Sequence, residues 1–280
     1  MVRIITDSLS DFTPEFAKEL NVDLMPLSVS FGEETYLSGY EITNEEFYEK
    51  LVSSDVLPTS SQINPFEFEK KFNEYLEQGD DIVAVLFPKE LSGTYQSAVI
   101  AKENIGSDRI HLIDCRSASM AQGVLVSEAA KMRDEGASAE EIETKILELT
   151  KRARLFIVLD TLEYVKKGGR ISPSVAFVGG ILGLHPVISV IEGKVDLVDK
   201  VKGKKSMNKW LLNKLEELPV DTNYNFYLGH SNAVDKVESF AELIKDREYG
   251  KNIKHFCIAP IVGTHVGPNA IGMGYISKDS

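Results

Sequence analysis

The sequence predicts an α/β protein of two domains, a parallel-sheet α/β domain followed by an α+β domain. The 280 residues are enough for two domains or one large one. Up to about residue 150, apolar runs of strand length alternate with amphipathic segments, as in a parallel sheet covered by helices. Farther on, a hairpin predicted at residues 187–201 breaks this pattern, because a purely parallel sheet contains no hairpin. We place the domains at residues 1–152 and 153–280.

In the first domain, apolar runs predict strands, and capping residues mark the helix starts. The predicted strands are Val2–Thr6, Leu24–Phe31, Ile82–Phe87 and Arg109–Asp114. The predicted helices begin at Thr13-Pro14, at Thr43 with Glu46, at Asn64-Pro65, at Ser92, near Ser117 and at Ser138 with Glu141. Leu57–Gln62 is predicted to be a polar loop rich in hydroxyl groups.

The second domain mixes strands, helices and two glycine-rich segments. The predicted strands are Leu155–Asp160, Val187–Ile191, Val195–Val201, Phe226–Gly229, Ile253–Ala259 and Ala270–Ile276. Helices are predicted at Lys204–Leu218 and Ala233–Lys245. The glycine-rich segments are Lys166–Ser172, a basic turn, and Gly263–Asn269, which contains His265.

Composition narrows the classes of function. The net charge of −12 argues against nucleic acid or an anionic membrane as the main partner, since both bind clustered Lys and Arg. Cys115 and Cys257 lie in apolar surroundings without metal-ligand spacing, which predicts buried thiols in a reducing compartment. No signal peptide or run of about 18 apolar residues is present, so we expect a cytoplasmic protein without stable membrane insertion.

One corner of the predicted parallel sheet suits an anion. The strand Ile82–Phe87 leads into a helix, with Ser92 at the N-cap and Gly93 next. A helix start at the carboxyl end of a parallel strand offers free N–H groups and a positive dipole end. Alternatively, Ser92 only caps the helix and binds no ligand.

Three other stretches could converge on this corner: the hydroxyls of Thr59, Ser60 and Ser61, the basic turn, and His265. Together they would hold a carboxylate. Each also has an ordinary interpretation: a loop for the three hydroxyl residues, a solvated turn for the basic segment and a structural histidine for His265. The chain lacks the phosphate-binding, dinucleotide-binding and zinc-protease motifs, so we expect no metal and no cofactor.

Five short motifs, taken in order, resemble the DegV family of fatty-acid-binding proteins. They are Ile4–Ser8, Pro58–Gln62, Leu91–Ser97, Lys167–Ser172 and Gly263–Pro268. The resemblance implies two domains with a long-chain fatty acid, such as palmitate, in a tunnel at their junction. It implies that Ser60, helped by Thr59 or Ser61, and Ser92 of the Ser92-Gly93 corner hold the carboxylate, with His265 close by.

The resemblance also implies a carrier without catalytic activity of its own. By the same resemblance, we expect a separate fatty-acid kinase to phosphorylate the presented carboxylate to an acyl phosphate for phospholipid synthesis. Arg170 and Lys202 are the expected docking residues, and a monomer is expected.

This chain departs from the family pattern at four places. Pro88-Lys89-Glu90 replaces a serine pair, and Ser60 replaces a threonine. His185-Pro186-Val187 replaces Lys-Pro-Ile, and Lys200-Val201-Lys202 replaces Lys-Val-Arg. The hydroxyls to which the resemblance assigns the head group are retained, whereas Lys202 lacks the planar fork of arginine, so we expect kinase docking to differ from the family pattern.

Two other functions remain open at this point. Ser92 and His265 could be the nucleophile and base of a serine hydrolase or acyltransferase, which also requires an acid. Alternatively, the chain could be a lipid-responsive regulatory protein.

Overall fold

The computed structural model describes residues 1–171, 183–251 and 253–278, and these form three β-sheets with helices around and between them. The strands are β1 Val2–Asp7, β2 Val22–Met25, β3 Ser28–Phe31, β4 Glu34–Leu37, β5 Thr59–Ser61, β6 Asp81–Leu86, β7 Ile110–Asp114, β8 Ala153–Val158, β9 Leu184–Ile191, β10 Lys194–Lys202, β11 Phe226–His230, β12 Ile253–Cys257 and β13 Ile271–Ile276. The helices are α1 Pro14–Glu19, α2 Asn44–Ser53, α3 Pro65–Glu77, α4 Thr94–Ile105, α5 Ser119–Asp134, α6 Ala139–Thr150, α7 Glu163–Lys167, α8 Gly203–Glu217, α9 Val234–Ile244 and α10 Pro260–Val266.

The first sheet has the order β2-β1-β6-β7, and all its strand pairs are parallel. The apolar side chains Ile82 to Leu86 of β6 are fully buried, as a strand covered on both faces requires. The predicted parallel α/β unit is therefore confirmed. The predicted boundary near residue 152 falls between α6 and β8.

The single strand predicted at Leu24–Phe31 is wrong, because this segment forms two strands in different sheets. β2 joins the parallel sheet, and β3 joins a three-stranded antiparallel sheet of order β4-β3-β5. Pro26 separates the two strands, and proline cannot donate a ladder hydrogen bond. The N–H of Leu27 then donates to Ser8 Oγ at 3.0 Å, which anchors the chain where it changes sheets.

The predicted loop Leu57–Gln62 contains strand β5. Ser60 pairs with Val29 of β3, so backbone hydrogen bonds fix this polar segment. Three residues of Ser and Thr carry too little apolar alternation to reveal such a strand. β4 was not predicted either, because its side chains are mostly exposed and show no apolar alternation.

The third sheet is mixed, with the order β10-β9-β8-β13-β11-β12. The predicted hairpin is present as β9 and β10, and β11 and β12 form a parallel pair. Helix α7 ends in the basic turn Lys166–Ser172, and helix α10 overlaps the segment Gly263–Asn269. Neither helix was predicted. Ser172 of the basic turn lies outside the described residues.

Helix α5 lies between the first and third sheets and contacts strands of both. The third sheet approaches α5 closely because it presents glycines there. A Cβ atom at Gly274 would lie 2.4 Å from the Ala121 nitrogen, and one at Gly229 would lie 2.4 Å from Met120 Sδ. The close approach joins both halves of the chain in a continuous core.

None of the helices in the described parts of the chain combines the length and apolar character needed to cross a bilayer. Cys115 is buried, Cys257 is half-buried, and neither forms a disulfide.

Candidate ligand-binding site

A cavity of about 360 Å³ lies between the parallel sheet and the third sheet. This volume falls within the range of about 300–1,000 Å³ that is typical of small-molecule sites. Its walls are mainly apolar and come from both halves of the chain: Leu9, Leu27, Phe87, Leu91, Ala118, Leu155, Ile157, Val165, Ile188, Val190, Val195, Ile261, Val262 and Val266. Polar side chains complete the lining: Ser60, Ser61, Gln62, Ser92, Ser119, Arg170, Ser189 and His265, with Gly93 beside them.

Ser60 and His265 meet at the cavity although 205 positions separate them in the chain. Ser60 Oγ lies 3.4 Å from His265 Nε2. Strand β5 holds Ser60 in register with β3, and α10 carries His265. The structure thus brings together two of the predicted site residues.

His265 is neutral at pH 7. Burial, with a smaller contribution from the positive charge of Arg170, lowers the pKa of its imidazole to about 4. His265 Nδ1 is buried and has no hydrogen-bond partner among the residues that the structure describes, whereas Nε2 faces Ser60. We therefore assign the imidazole proton to Nε2, where it has an acceptor.

Gly168 makes room for His265. A Cβ atom at Gly168 would lie 2.2 Å from His265 Nδ1, so only glycine leaves the imidazole in its observed position. The same turn carries Arg170, whose guanidinium donates to the Gly168 carbonyl at 2.7 Å. Next to it, Ile171 bridges to Val195 of β10, which fixes the turn against the cavity wall.

The prediction that Ser92 is an N-cap is wrong. The N–H groups of Leu91 and Ser92 both donate to the Pro88 carbonyl, at 3.0 and 3.2 Å, and this turn places Ser92 one residue before the cap. Gly93 is the N-cap of α4. Ser92 Oγ lies 3.0 Å from Thr94 Oγ1 and accepts the Thr94 N–H at 3.3 Å. The half-buried hydroxyl remains within the cavity lining.

Gln62 joins the segment of Ser60 to the corner of Ser92. Its Nε2 donates to Ser97 Oγ at 3.2 Å, and a Cβ atom at Gly93 would lie 1.9 Å from its Oε1. Glycine at position 93 therefore lets the amide lie over the start of α4. These contacts unite the polar groups into one cluster.

The electrostatic character of the cavity is opposite to that of the whole chain. Arg170 contributes a positive charge, and no Asp or Glu is among the described residues that line the cavity. The chain as a whole has a net charge of −12. Local donors thus favour an anion here despite the overall charge.

The hairpin of β9 and β10 covers one side of the cavity and is fastened to the first half of the chain. Its tip residue Gly193 lies against Pro88 and Glu90, where a Cβ atom would be 3.4 Å from both side chains. Beside it, Glu192 forms an ion pair with Arg116. The segment Pro88-Lys89-Glu90, which departs from the family pattern, is thus a seat for the hairpin tip.

Two candidates lie outside the lining. Thr59 is exposed on β5, and Lys202 is exposed at the end of β10.

His185, another departure from the family pattern, has Nδ1 3.3 Å from the Leu159 carbonyl and 3.4 Å from Asp160 Oδ1. Sequence reasoning did not single out Ser119 and Ser189, because only tertiary packing places them at the cavity.

The described residues do not assemble a hydrolytic triad. Ser92 Oγ contacts Thr94, whereas His265 Nε2 faces Ser60. In the described parts of the chain, no carboxylate lies within hydrogen-bond distance of His265 Nδ1. A serine nucleophile needs both the base and the acid that orients it.

Comparison with known sequences decides the family. Residues 1–278 match the sequence profile of the DegV family, described as uncharacterised proteins. The chain belongs to the DegV family. A DegV domain-containing protein from Caldanaerobacter subterraneus subsp. tengcongensis is 34% identical over 281 residues, which cover 99% of each chain.

Two solved structures described as fatty-acid-binding share the fold. A DegV family protein from Thermus thermophilus, described as binding fatty acid, has 27% identity and a TM-score of 0.90, with 99% of each chain covered. A stearic-acid-binding protein from Eubacterium ventriosum has 28% identity and a TM-score of 0.88, also with 99% of each chain covered. The resemblance to the DegV family and the α/β fold class are therefore confirmed.

Proposed function

We propose that this DegV chain binds one long-chain fatty acid, with the tail in the apolar part of the cavity and the ionised carboxylate at the polar cluster. The observation that carries the proposal is the cavity itself, which combines apolar walls with hydroxyls, a neutral histidine and Arg170. Solved relatives described as fatty-acid-binding support it.

The head group is assigned to Ser60 and Ser92. With its proton on Nε2, His265 donates to Ser60 Oγ, which leaves the Ser60 O–H free to donate to a carboxylate. The Ser92 O–H donates to the other carboxylate oxygen in place of Thr94 Oγ1, while Ser92 Oγ still accepts the Thr94 N–H. Gly93 leaves room for the Gln62 amide beside the head group, Ser61 adds a further hydroxyl, and Thr59, which lies outside the cavity lining, has at most an indirect role.

The tail supplies most of the affinity. Burying about 14 methylenes of palmitate at ~0.8 kcal/mol each contributes on the order of 11 kcal/mol before ordering costs. Each hydrogen bond to the charged head adds roughly 1.5–3 kcal/mol. Affinity therefore depends mainly on the tail, and orientation depends on the head.

The oriented carboxylate makes the chain a carrier for a separate fatty-acid kinase in phospholipid synthesis. A carboxylate oxygen attacks the terminal phosphate of the nucleotide held by the kinase, forming an acyl phosphate and releasing the nucleoside diphosphate. The lack of a nucleotide-phosphate motif in this chain supports the division of labour. We assign kinase docking to Arg170, at the cavity, and to Lys202, on the exposed end of β10.

Titration of delipidated protein with palmitate tests the binding step, and adding a DegV-partner kinase with radiolabelled ATP tests the transfer. We expect one palmitate per chain and kinase-dependent acyl phosphate. Absence of palmitate binding would refute the carrier function. Tight binding without phosphorylation by such a kinase would instead favour a lipid-responsive regulatory protein.

A further inference from the structure

Asp11 is a buried carboxyl group that connects two separate parts of the structure. It is 1% exposed and has a left-handed backbone conformation with φ of 62°. Its Oδ2 accepts the hydroxyl proton of Ser119, and its Oδ1 accepts the N–H of Ala259 at 2.9 Å. One carboxylate thus joins the start of α5 to the residue that precedes α10.

Both of these partners belong to the cavity wall or support it. Ser119 lines the cavity directly. Ala259 is the N-cap of α10, the helix that carries Ile261, Val262 and His265 into the lining. The two hydrogen bonds of Asp11 thus connect the start of α5 to the residue at which the helix of His265 begins.

The charge of Asp11 is balanced by hydrogen bonds alone among the described groups that face it. Tyr48, from α2, donates its hydroxyl to the Ile258 carbonyl, and Cys257 lies at the end of β12. Desolvation raises the pKa of both groups, so both are neutral at pH 7. Burial raises the pKa of Asp11 to about 7, although the bonds from Ser119 and Ala259 oppose this shift.

We infer that Asp11 is a positioning residue for the fatty-acid site: its ionised carboxylate holds the start of α10 in place relative to the start of α5, and protonation of the still-buried carboxyl group weakens the bond from Ala259 and loosens that wall. The inference rests on the proposed fatty-acid binding. A protonated Asp11 must donate its own proton, and Ser119 Oγ is able to accept it. The Ala259 N–H is then left with a neutral acceptor, which gives a weaker hydrogen bond than a carboxylate does.

Release of palmitate to phosphatidylcholine vesicles, measured between pH 6 and pH 8, tests the inference. We expect the release rate of the native chain to rise roughly fivefold as the pH falls through 7, from the weakening of one charge-assisted hydrogen bond. Hexadecanol, which has no ionisable head, should show the same step. Its use separates the titration of the protein from that of the ligand.

Two variants locate the step. Asp11→Asn keeps the shape and can accept from Ala259 while donating to Ser119, so it should bind palmitate and lose the step near pH 7. Ser119→Ala removes a bond that lowers the pKa of Asp11, so the step should move to higher pH. A merely structural role of Asp11 would change the rates but not the position of the step.

Carbon-13 NMR of the Asp11 carboxyl group gives a second measurement that requires no variant. Titration of this carboxyl outside pH 6–8 in the native chain would overturn the inference, as would a release step that persists in Asp11→Asn. Palmitate binding with a release rate independent of pH in the native chain would overturn the inference alone. Failure of the native chain to bind either palmitate or hexadecanol would overturn the proposed function as well.

Discussion

Substituting alanine for Ser92 removes one predicted bond to the ligand while leaving the fold nearly unchanged. Ser92 is half-buried and lies before the N-cap Gly93, and its bond from the Thr94 N–H is long, at 3.3 Å. The loss of its hydroxyl removes the acceptor of the buried Thr94 N–H, so the free energy of unfolding should fall by roughly 0.5–2 kcal/mol, which a chain of this size tolerates without unfolding. A loss of binding in this variant reports on the head group.

The expected effect on palmitate follows from one charge-assisted hydrogen bond. Such a bond contributes roughly 1.5–3 kcal/mol, so the dissociation constant should rise roughly 10- to 150-fold. The tail contribution, on the order of 11 kcal/mol, is unchanged, so binding persists. For hexadecanol, whose head group is neutral, the loss should be only about 2- to 13-fold.

Calorimetric titration of both ligands into delipidated protein measures these ratios. Ser53→Ala is a matched control, because Ser53 is exposed at the end of α2 and its hydroxyl bonds only to backbone carbonyls. Palmitate affinity equal to that of the native chain in Ser92→Ala would refute the assignment. An equal loss for palmitate and hexadecanol would show that Ser92 does not contact the charged head.

Three further outcomes are expected. Gly168→Ala places a Cβ atom 2.2 Å from His265 Nδ1, so calorimetry should show roughly fivefold weaker palmitate binding, and unchanged affinity would contradict the role of His265. Val195→Trp fills the cavity from a half-buried strand position, so palmitate binding should be lost while circular dichroism stays native; retained binding would place the tail elsewhere. Burial raises the pKa of Asp7 to about 6 and that of Asp11 to about 7, from 3.8. As the pH rises, the unfolded chain releases these protons before the folded chain does. The contribution of the two carboxyl groups to the free energy of unfolding therefore falls between about pH 4 and pH 7. Urea unfolding at pH 5 and pH 8 measures this change, and flattening of the difference by Asp11→Asn would assign it.

Local chemistry was sufficient to predict much of the fold. The capping boxes of Thr43 with Glu46 and of Ser138 with Glu141 are both present, because each depends on residues three positions apart. The apolar strand at residues 82–86 was equally clear, since burial on both faces requires a continuous apolar run.

The missing elements depend on contacts between distant residues. β5 is a strand because its polar backbone pairs with β3, about 30 residues earlier. Helix α10 was hidden by the glycine within it, Gly263, at which a Cβ atom would lie 2.6 Å from the ring of Phe47 on α2. No local pattern contains the information that this glycine permits close packing of two helices.

The candidate site could be predicted in part. Ser60, Ser61, Ser92, Gly93, Arg170 and His265 were selected from the sequence, and all line the cavity. Ser119 and Asp11 were not selected, because only the tertiary fold brings Ser119 and Ala259 to the same buried carboxylate. The place of Ser92 relative to the helix was wrong, since the turn at Pro88 shifts the cap to Gly93.

Native mass spectrometry of the purified chain, followed by denaturation and lipid analysis, tests fatty-acid binding most directly. The account predicts one long-chain fatty acid per chain, released on denaturation, and replacement of that acid when the delipidated protein is mixed with palmitate. A chain that carries no lipid and takes up no palmitate would contradict the proposed function.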